Sequence, residues 1–286
     1  MAVYERIWRR WEGTLTPLHW RPAVVTRYAL QEAFSSRIFT AFYALCLLPT
    51  LVGVFLVYLS HNLSLVQQIG LTDEFMGGLT DIFFQVLFGW QALPAFLVAL
   101  IVSPSLIAAD LSNNALALYL SRPITRRGYV LGKLAVLGLL LSPITWMGGL
   151  LIFVLQAYLE GDGWGIENWR IGAAYLIGHL TWIVVISLLT LAISAWVRFK
   201  PAARGALFGI IFILAGFAQA VNAVTGTSVG DLVHLTRAIA NVVLWIFDQP
   251  LHGDLPIAAS FLTLITTCLL SVWLLHLKLR AHEVVK

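Results

Sequence analysis

Six stretches of this chain are apolar almost without interruption, near 39–60, 82–106, 129–159, 171–197, 204–222 and 257–278. Each approaches the ~20 residues a helix needs to cross the ~30 Å hydrocarbon core of a bilayer. The pattern therefore predicts an all-α, polytopic membrane protein with six transmembrane helices. Span three is long and holds Pro143 and the pair Gly148-Gly149, so it is expected to kink or to project beyond the bilayer. Between spans five and six, a polar start is followed by an apolar run at 238–247, too short to cross. It reads as re-entrant or interfacial. Ahead of span one, Pro22 suits a first helical position. There Val24, Tyr28 and Phe34 can face lipid or protein while Arg27, Gln31, Ser35 and Arg37 face water or headgroups. This predicts an N-terminal amphipathic interfacial helix, with a simple basic anchor as the alternative.

No repeat, heptad array or low-complexity linker divides the chain. The expected organisation is one transmembrane domain over 1–286: a cytosolic N-terminus and entry helix at 1–38, spans one and two at 39–106, and a cytosolic loop at 107–128. Spans three to five follow at 129–222, an external segment at 223–256, and span six with a cytosolic tail at 257–286.

Composition agrees with the pattern: 59% of residues are hydrophobic and 11% charged, against roughly 25% charged in soluble domains. Charge also orients the chain, because short cytoplasmic loops retain Lys and Arg. Arg6, Arg9, Arg10, Arg21, Arg27 and Arg37 precede span one; Arg122, Arg126, Arg127 and Lys133 cluster at the loop after span two. Arg198, Lys200 and Arg204 lie between spans four and five, and Lys278, Arg280 and Lys286 at the end, leaving only Arg170 and Arg237 on the other side. Asp73, Glu74, Asp81, Glu160, Asp162, Glu167, Asp231, Asp248 and Asp254 fall on that other side. Both termini are thus expected in the cytosol and the protein in the plasma (inner) membrane.

Topology and anionic lipid account for the net charge of +4, so no nucleic acid is expected as a partner. The first 38 residues contain six arginines and three tryptophans but no apolar run with a small-residue cleavage site, which predicts an uncleaved N-terminus. Cys46 and Cys268 lie inside spans one and six, as small apolar residues. Trp164, Trp169, Trp196 and Trp273 sit near span ends, as interfacial anchors do.

Away from their ends the spans contain no Asp, Glu, Lys or Arg, whereas proton-driven carriers need such groups at membrane depth. His179 is the one titratable side chain near a midplane, as a packing residue or a proton relay. Gln85, Gln91, Gln156, Gln219 and Asn222 offer neutral hydrogen bonds between helices. The run 128–134 imitates a phosphate-binding loop but has three residues between its glycines and no Ser or Thr for magnesium. It reads instead as a helix start with a snorkelling Lys133. No His-Glu-x-x-His, Gly-x-Ser-x-Gly or cysteine cluster occurs. No catalytic residue, metal site or bound cofactor is expected, and the energy for any active transport must come from another chain.

The run Ile107 to Asp110, then Asn114, Leu116, Tyr119, Ser121, Arg122, Pro123, Ile124, Arg126, Arg127, Tyr129, Gly132 and Lys133, resembles the loop between spans two and three of type-2 ABC transporter permeases. That loop has an acidic residue, a small-residue turn, a Leu-rich stretch, Pro-x-x-Arg and a Gly-Lys. Asp110 takes the acidic place, where Glu is commoner, and Asn114-Ala115 stands where Gly-Thr is usual. The stretch 26–37 looks like the family's entry helix, with Glu32 and Arg37 in its acidic and basic places.

The resemblance implies the membrane-spanning permease subunit of an ATP-binding cassette exporter. A separate ABC ATPase subunit, in two copies, would carry ATP and Mg. Leu116, Leu118, Tyr119 and Leu120 would dock into an apolar groove of that ATPase while Arg122, Arg126 and Arg127 meet acidic groups or phospholipid. Glu32, Arg37, Asp110, Pro123 and Lys133 complete the implied coupling set. Six spans make half a path in this family, so a second copy or a sister permease is implied, with the segment at 223–256 closing the exit. Gly205, Gly209 and Gly216 could form the seam, or could pack within one subunit. Phe84, Gln91, Phe212, Phe217 and Gln219 would suit an amphipathic cargo, and ordinary packing explains them equally well. A non-transporting membrane scaffold and an independent carrier using His179 are the other readings.

Overall fold

The computed structural model describes residues 17, 20–62, 81–113, 125–197 and 199–279. Among these every regular element is helical. Helix α1 (Arg21–Phe34) precedes α2 (Arg37–Leu45) and α3 (Leu48–Ser60), followed by α4 (Asp81–Leu106) and α5 (Ala108–Ser112). Then come α6 (Arg126–Ile144), α7 (Trp146–Glu160), the short α8 (Trp164–Glu167), α9 (Trp169–Trp196) and α10 (Lys200–Thr225). A 3₁₀ turn (Val229–Val233), α11 (Leu235–Ile246) and α12 (Ile257–Lys278) close the described chain.

Among the described residues six helical stretches are long and apolar enough to cross a membrane: Arg37–Ser60, Ile82–Ser112, Arg126–Glu160, Trp169–Trp196, Lys200–Thr225 and Ile257–Lys278. They coincide with the six spans expected from the apolar runs. Span four is 61% buried inside the chain and spans five and six 17% each, which puts α9 at the centre and α10 and α12 at the rim. An all-round apolar helix suits that central position. Ala174, Tyr175, His179, Ile186 and Leu191 on α9 are all buried, and α9 packs against α4, α7, α10, α11 and α12.

Span three bends where its sequence predicts. Pro143 cannot donate the helical hydrogen bond of its position. At Thr145 the backbone leaves helical geometry (φ −107°, ψ −107°) before α7 begins. The Thr145 hydroxyl returns to the Leu141 carbonyl at 2.8 Å, and Ser142 to Gly138 at 2.6 Å.

Just past the bend, Gly148 and Gly149 face two neighbouring spans rather than supplying the kink. A Cβ on Gly149 would fall within the Tyr175 ring, and one on Gly148 would overlap the Thr50 side chain. That close approach admits a buried chain of hydrogen bonds. The Tyr175 hydroxyl donates to Gln91 Oε1, and Gln91 Nε2 donates to Thr50 Oγ1 at 2.8 Å. Spans one, two and four thus meet over the glycine pair of span three. One turn along α9, His179 Nδ1 lies 3.1 Å from the Tyr175 carbonyl, and its ring lies against Phe88 with centroids 3.8 Å apart.

Gly149→Ala is expected to destabilise the bundle by about 3 kcal/mol through overpacking. Combined with Tyr175→Ala it should cost less than the sum of the two single changes, because both act on one contact. Thermal unfolding in detergent measures both quantities, and strict additivity would contradict the packing.

Candidate functional site

The loop after span two is framed by α5 and α6. Leu116, Leu118, Tyr119, Leu120, Arg122 and Pro123 lie outside the described residues, but both ends of the loop are described. Asp110 Oδ2 accepts from the Tyr129 hydroxyl at 2.6 Å and pairs with Lys133 Nζ at 2.8 Å. Tyr129 and Lys133 are one turn apart on α6, so their side chains share a face, and the ammonium stands 5.5 Å from the Tyr129 ring centroid. Lys133 is only 5% exposed. The snorkelling geometry expected for it is therefore corrected: the lysine turns inward because a carboxylate waits there. Beside it, Ser194 Oγ of α9 accepts from the Ala108 amide at 3.1 Å, fixing the step between α4 and α5. Thr125 caps α6, accepting from the Gly128 amide at 3.0 Å.

Helix α1 is fastened to the same place. Its buried residues are Val25 and Thr26, and Ala29, Leu30 and Ala33 continue the packed stripe at helical spacing. The Thr26 hydroxyl reaches the Gly132 carbonyl at 2.9 Å. A Cβ on Gly132 would lie 2.9 Å from the Pro22 carbonyl oxygen, so only glycine lets α1 lie this close to α6. Three helices, α1, α5 and α6, therefore converge on Gly132-Lys133.

The other residues implicated by sequence lie apart from this node. Glu32 and Arg37 are exposed at the α1–α2 junction. Ser35 donates to the Glu32 carbonyl at 2.6 Å, and Ser36 caps α2 by accepting from the Phe39 amide. Arg126 and Arg127 are exposed in the first turn of α6. Cations there oppose the helix dipole, so their benefit must come from outside the helix.

On α10, a Cβ at Gly205 or Gly216 would meet nothing within 4 Å, and one at Gly209 only Ile213 Cδ1 at 3.7 Å. Among the described residues, this face has no partner in its own chain. Phe84 is buried against Phe153 and Tyr175, and Gln91 belongs to the Thr50–Tyr175 chain. Phe217 and Gln219 are exposed on α10. Phe212 lines a cavity of about 580 Å3 between α4, α9, α10 and α11, together with Gln85, Trp182, Thr236 and His252. Gln85 Nε2 is buried there without a hydrogen-bond partner. Sequence alone could not assemble this set, because Thr236 and His252 come from the segment between spans five and six.

That segment folds back on the bundle at the end opposite the loop. Arg237 Nη1 lies 2.9 and 3.0 Å from the two Asp231 oxygens, and Asn222 Nδ2 donates to Asp231 Oδ1 at 2.9 Å. Asn222 Oδ1 accepts from the Gly230 amide at 2.7 Å, and Thr263 of α12 donates to the Leu232 carbonyl at 2.8 Å. Asn241, 3% exposed, accepts from the His252 amide at 2.9 Å. His234 Nδ1 caps α11 by accepting from the Arg237 amide at 3.2 Å, a role that needs the neutral ring. Burial holds its pKa below the ordinary imidazole value, and Arg237 adds to the depression while Asp231 opposes it.

These observations define a multi-pass membrane protein, helical throughout the described residues, with polar networks at both ends and a buried one between spans. Residues 25–275 match the family model described as ABC-2 family transporter protein, and the chain belongs to that family. No curated protein matches it significantly. Family and fold together make it a transporter permease component.

Two measurements test this geometry. Lys133→Met should cost about 3 kcal/mol, as expected when one partner of a buried pair is removed, and Asp110→Asn in the same chain should recover part of it. Thermal unfolding reads both, and equal stability of Lys133→Met and the parent would dismiss the pairing. A depressed histidine pKa stabilises the fold above the unfolded-state value of about 6.5, and that stability is lost as pH falls toward the folded-state value. Protection factors of the α11 amides, corrected for the intrinsic pH dependence of exchange, should therefore fall on acidification below about pH 6.5. His234→Asn, which keeps a capping oxygen, should flatten that response.

Proposed function

We propose that the chain is the membrane-spanning permease subunit of an ATP-binding cassette exporter, driven by two copies of a separate ATPase subunit that hold ATP and Mg. The end bearing Lys133 and both termini faces the cytosol, and the protein resides in the inner membrane. The charge distribution along the chain supports this orientation.

The observation that carries the reading is the Asp110–Tyr129–Lys133 node. A loop can transmit force only if its ends are joined to the helices it must move. Here the two ends are joined to each other at the inner ends of spans two and three, and the α6 end is joined to α1 as well. Leu116, Leu118, Tyr119 and Leu120 dock in an apolar groove of the ATPase, and Arg122, Arg126 and Arg127 meet its acidic groups. Pro123 ends the docking stretch, and Glu32 and Arg37 flank it from the entry helix. That helix lies along the membrane surface, with exposed Tyr28 and Phe34 toward lipid.

A second permease copy or a sister chain completes the path. The unpartnered face of α10 at Gly205, Gly209 and Gly216 supports this, since small residues let helices approach closely. The apolar cavity beside Phe212, with Gln85, Thr236 and His252 among its few polar groups, suits an amphipathic cargo. The segment at 223–256 then stands over the exit.

Replacing Tyr119 and Leu120 by Asp should abolish co-purification of the ATPase while the chain still inserts. An unchanged yield of complex would remove the docking reading.

A further inference from the structure

A second cavity, of about 630 Å3, opens between spans four, five and six. Its walls include Leu189 and Ile193 of α9, Ile210 and Leu214 of α10, and Leu262 and Leu270 of α12. Two of its threonines are already engaged with backbone: Thr263 donates to Leu232 and Thr267 to Thr263, each at 2.8 Å. The interior therefore offers mainly hydrocarbon. It shares no lining residue with the cavity beside Phe212, so the two are distinct sites.

The two ends of this cavity differ in kind. At one end Leu232 and Val233 of the 3₁₀ turn roof the space, held by the Thr263 bond. At the other end Trp196 forms the wall, its indole N–H donating to the Leu274 carbonyl at 3.2 Å. The Lys278 ammonium stands over that indole, 5.0 Å from the ring. Among the described residues no carboxylate pairs with Lys278. The wall from Leu262 to Leu274 is about 18 Å long at the ~1.5 Å rise of a helix. One leaflet's half of a ~30 Å hydrocarbon core is about 15 Å.

We propose that this cavity binds an anionic phospholipid of the leaflet at the Lys278 end. One acyl chain lies along α12 beneath the Leu232 roof, and the headgroup meets the Lys278 ammonium. A transmembrane helix of a second copy would need a groove open across the whole bilayer, and the roof blocks one end. The Lys278 cation at the open end selects headgroup charge, and one lysine near a membrane surface corresponds to about a fivefold preference. Naming the leaflet as cytosolic rests on the orientation proposed above; the binding itself does not.

Native mass spectrometry of the full-length chain, extracted from vesicles containing equal phosphatidylglycerol and phosphatidylcholine, tests this. The expected result is one retained phosphatidylglycerol per chain, favoured about fivefold over phosphatidylcholine. Lys278→Gln should abolish the preference while lipid is still retained, and Lys278→Arg should restore it. Leu270→Trp, which fills the cavity, should lose the retained lipid. Equal retention of both lipids by the parent chain, or unchanged retention and preference in Leu270→Trp and Lys278→Gln, would overturn the site. So would conversion of dimers to monomers by Leu270→Trp, which would assign the cavity to a second copy.

Discussion

Hydrocarbon offers no hydrogen bonds, so every polar group carried into a bilayer must find its partner inside the protein. Much of this architecture follows from how that demand is met. The Thr50, Gln91 and Tyr175 side chains satisfy one another across three spans, and they can do so only because Gly148 and Gly149 withdraw from the space they occupy. The bend at Thr145 then aims the second half of span three at that meeting point. Polar groups in low dielectric bind strongly when paired and cost heavily when not. The network consequently fixes one register for four helices, which apolar contacts alone would specify loosely.

At the basic end the same demand is met with charge. Lys133 and Asp110 are both drawn out of water, and their ion pair, shared with the Tyr129 hydroxyl, turns α5 and α6 into one piece. Thr26 and Gly132 add α1 to it. A pair of this kind contributes more to a unique arrangement than to net stability, because desolvation offsets much of the attraction.

The sequence made the six spans, the bend in span three and the short non-crossing helix α11 legible, because each depends on local pattern: apolar length, an internal proline, a run too short to cross. The node at Asp110 was legible in its members but not in its geometry. Lys133 near a helix start resembles a snorkelling residue until the carboxylate of Asp110 is placed beside it, and that placement depends on how two spans pack. Gln91 and Phe84 have the composition of a lining and the position of a core, a distinction that only the rotation of α4 decides. The Asp231–Arg237–Asn222 lock and the cavity containing Thr236 and His252 draw on segments whose fold-back direction no periodicity encodes.

Spans five and six are joined by a segment bonded to both, through Asn222 at one side and Thr263 at the other, while each is mostly uncovered by the rest of the chain. Their apolar surfaces are sufficient to leave water without help from span four. Membrane insertion and docking are thus separable events for this pair. The two spans meet chiefly through that connection, so each seats on α9 by its own contacts while the connecting segment ties their outer ends together.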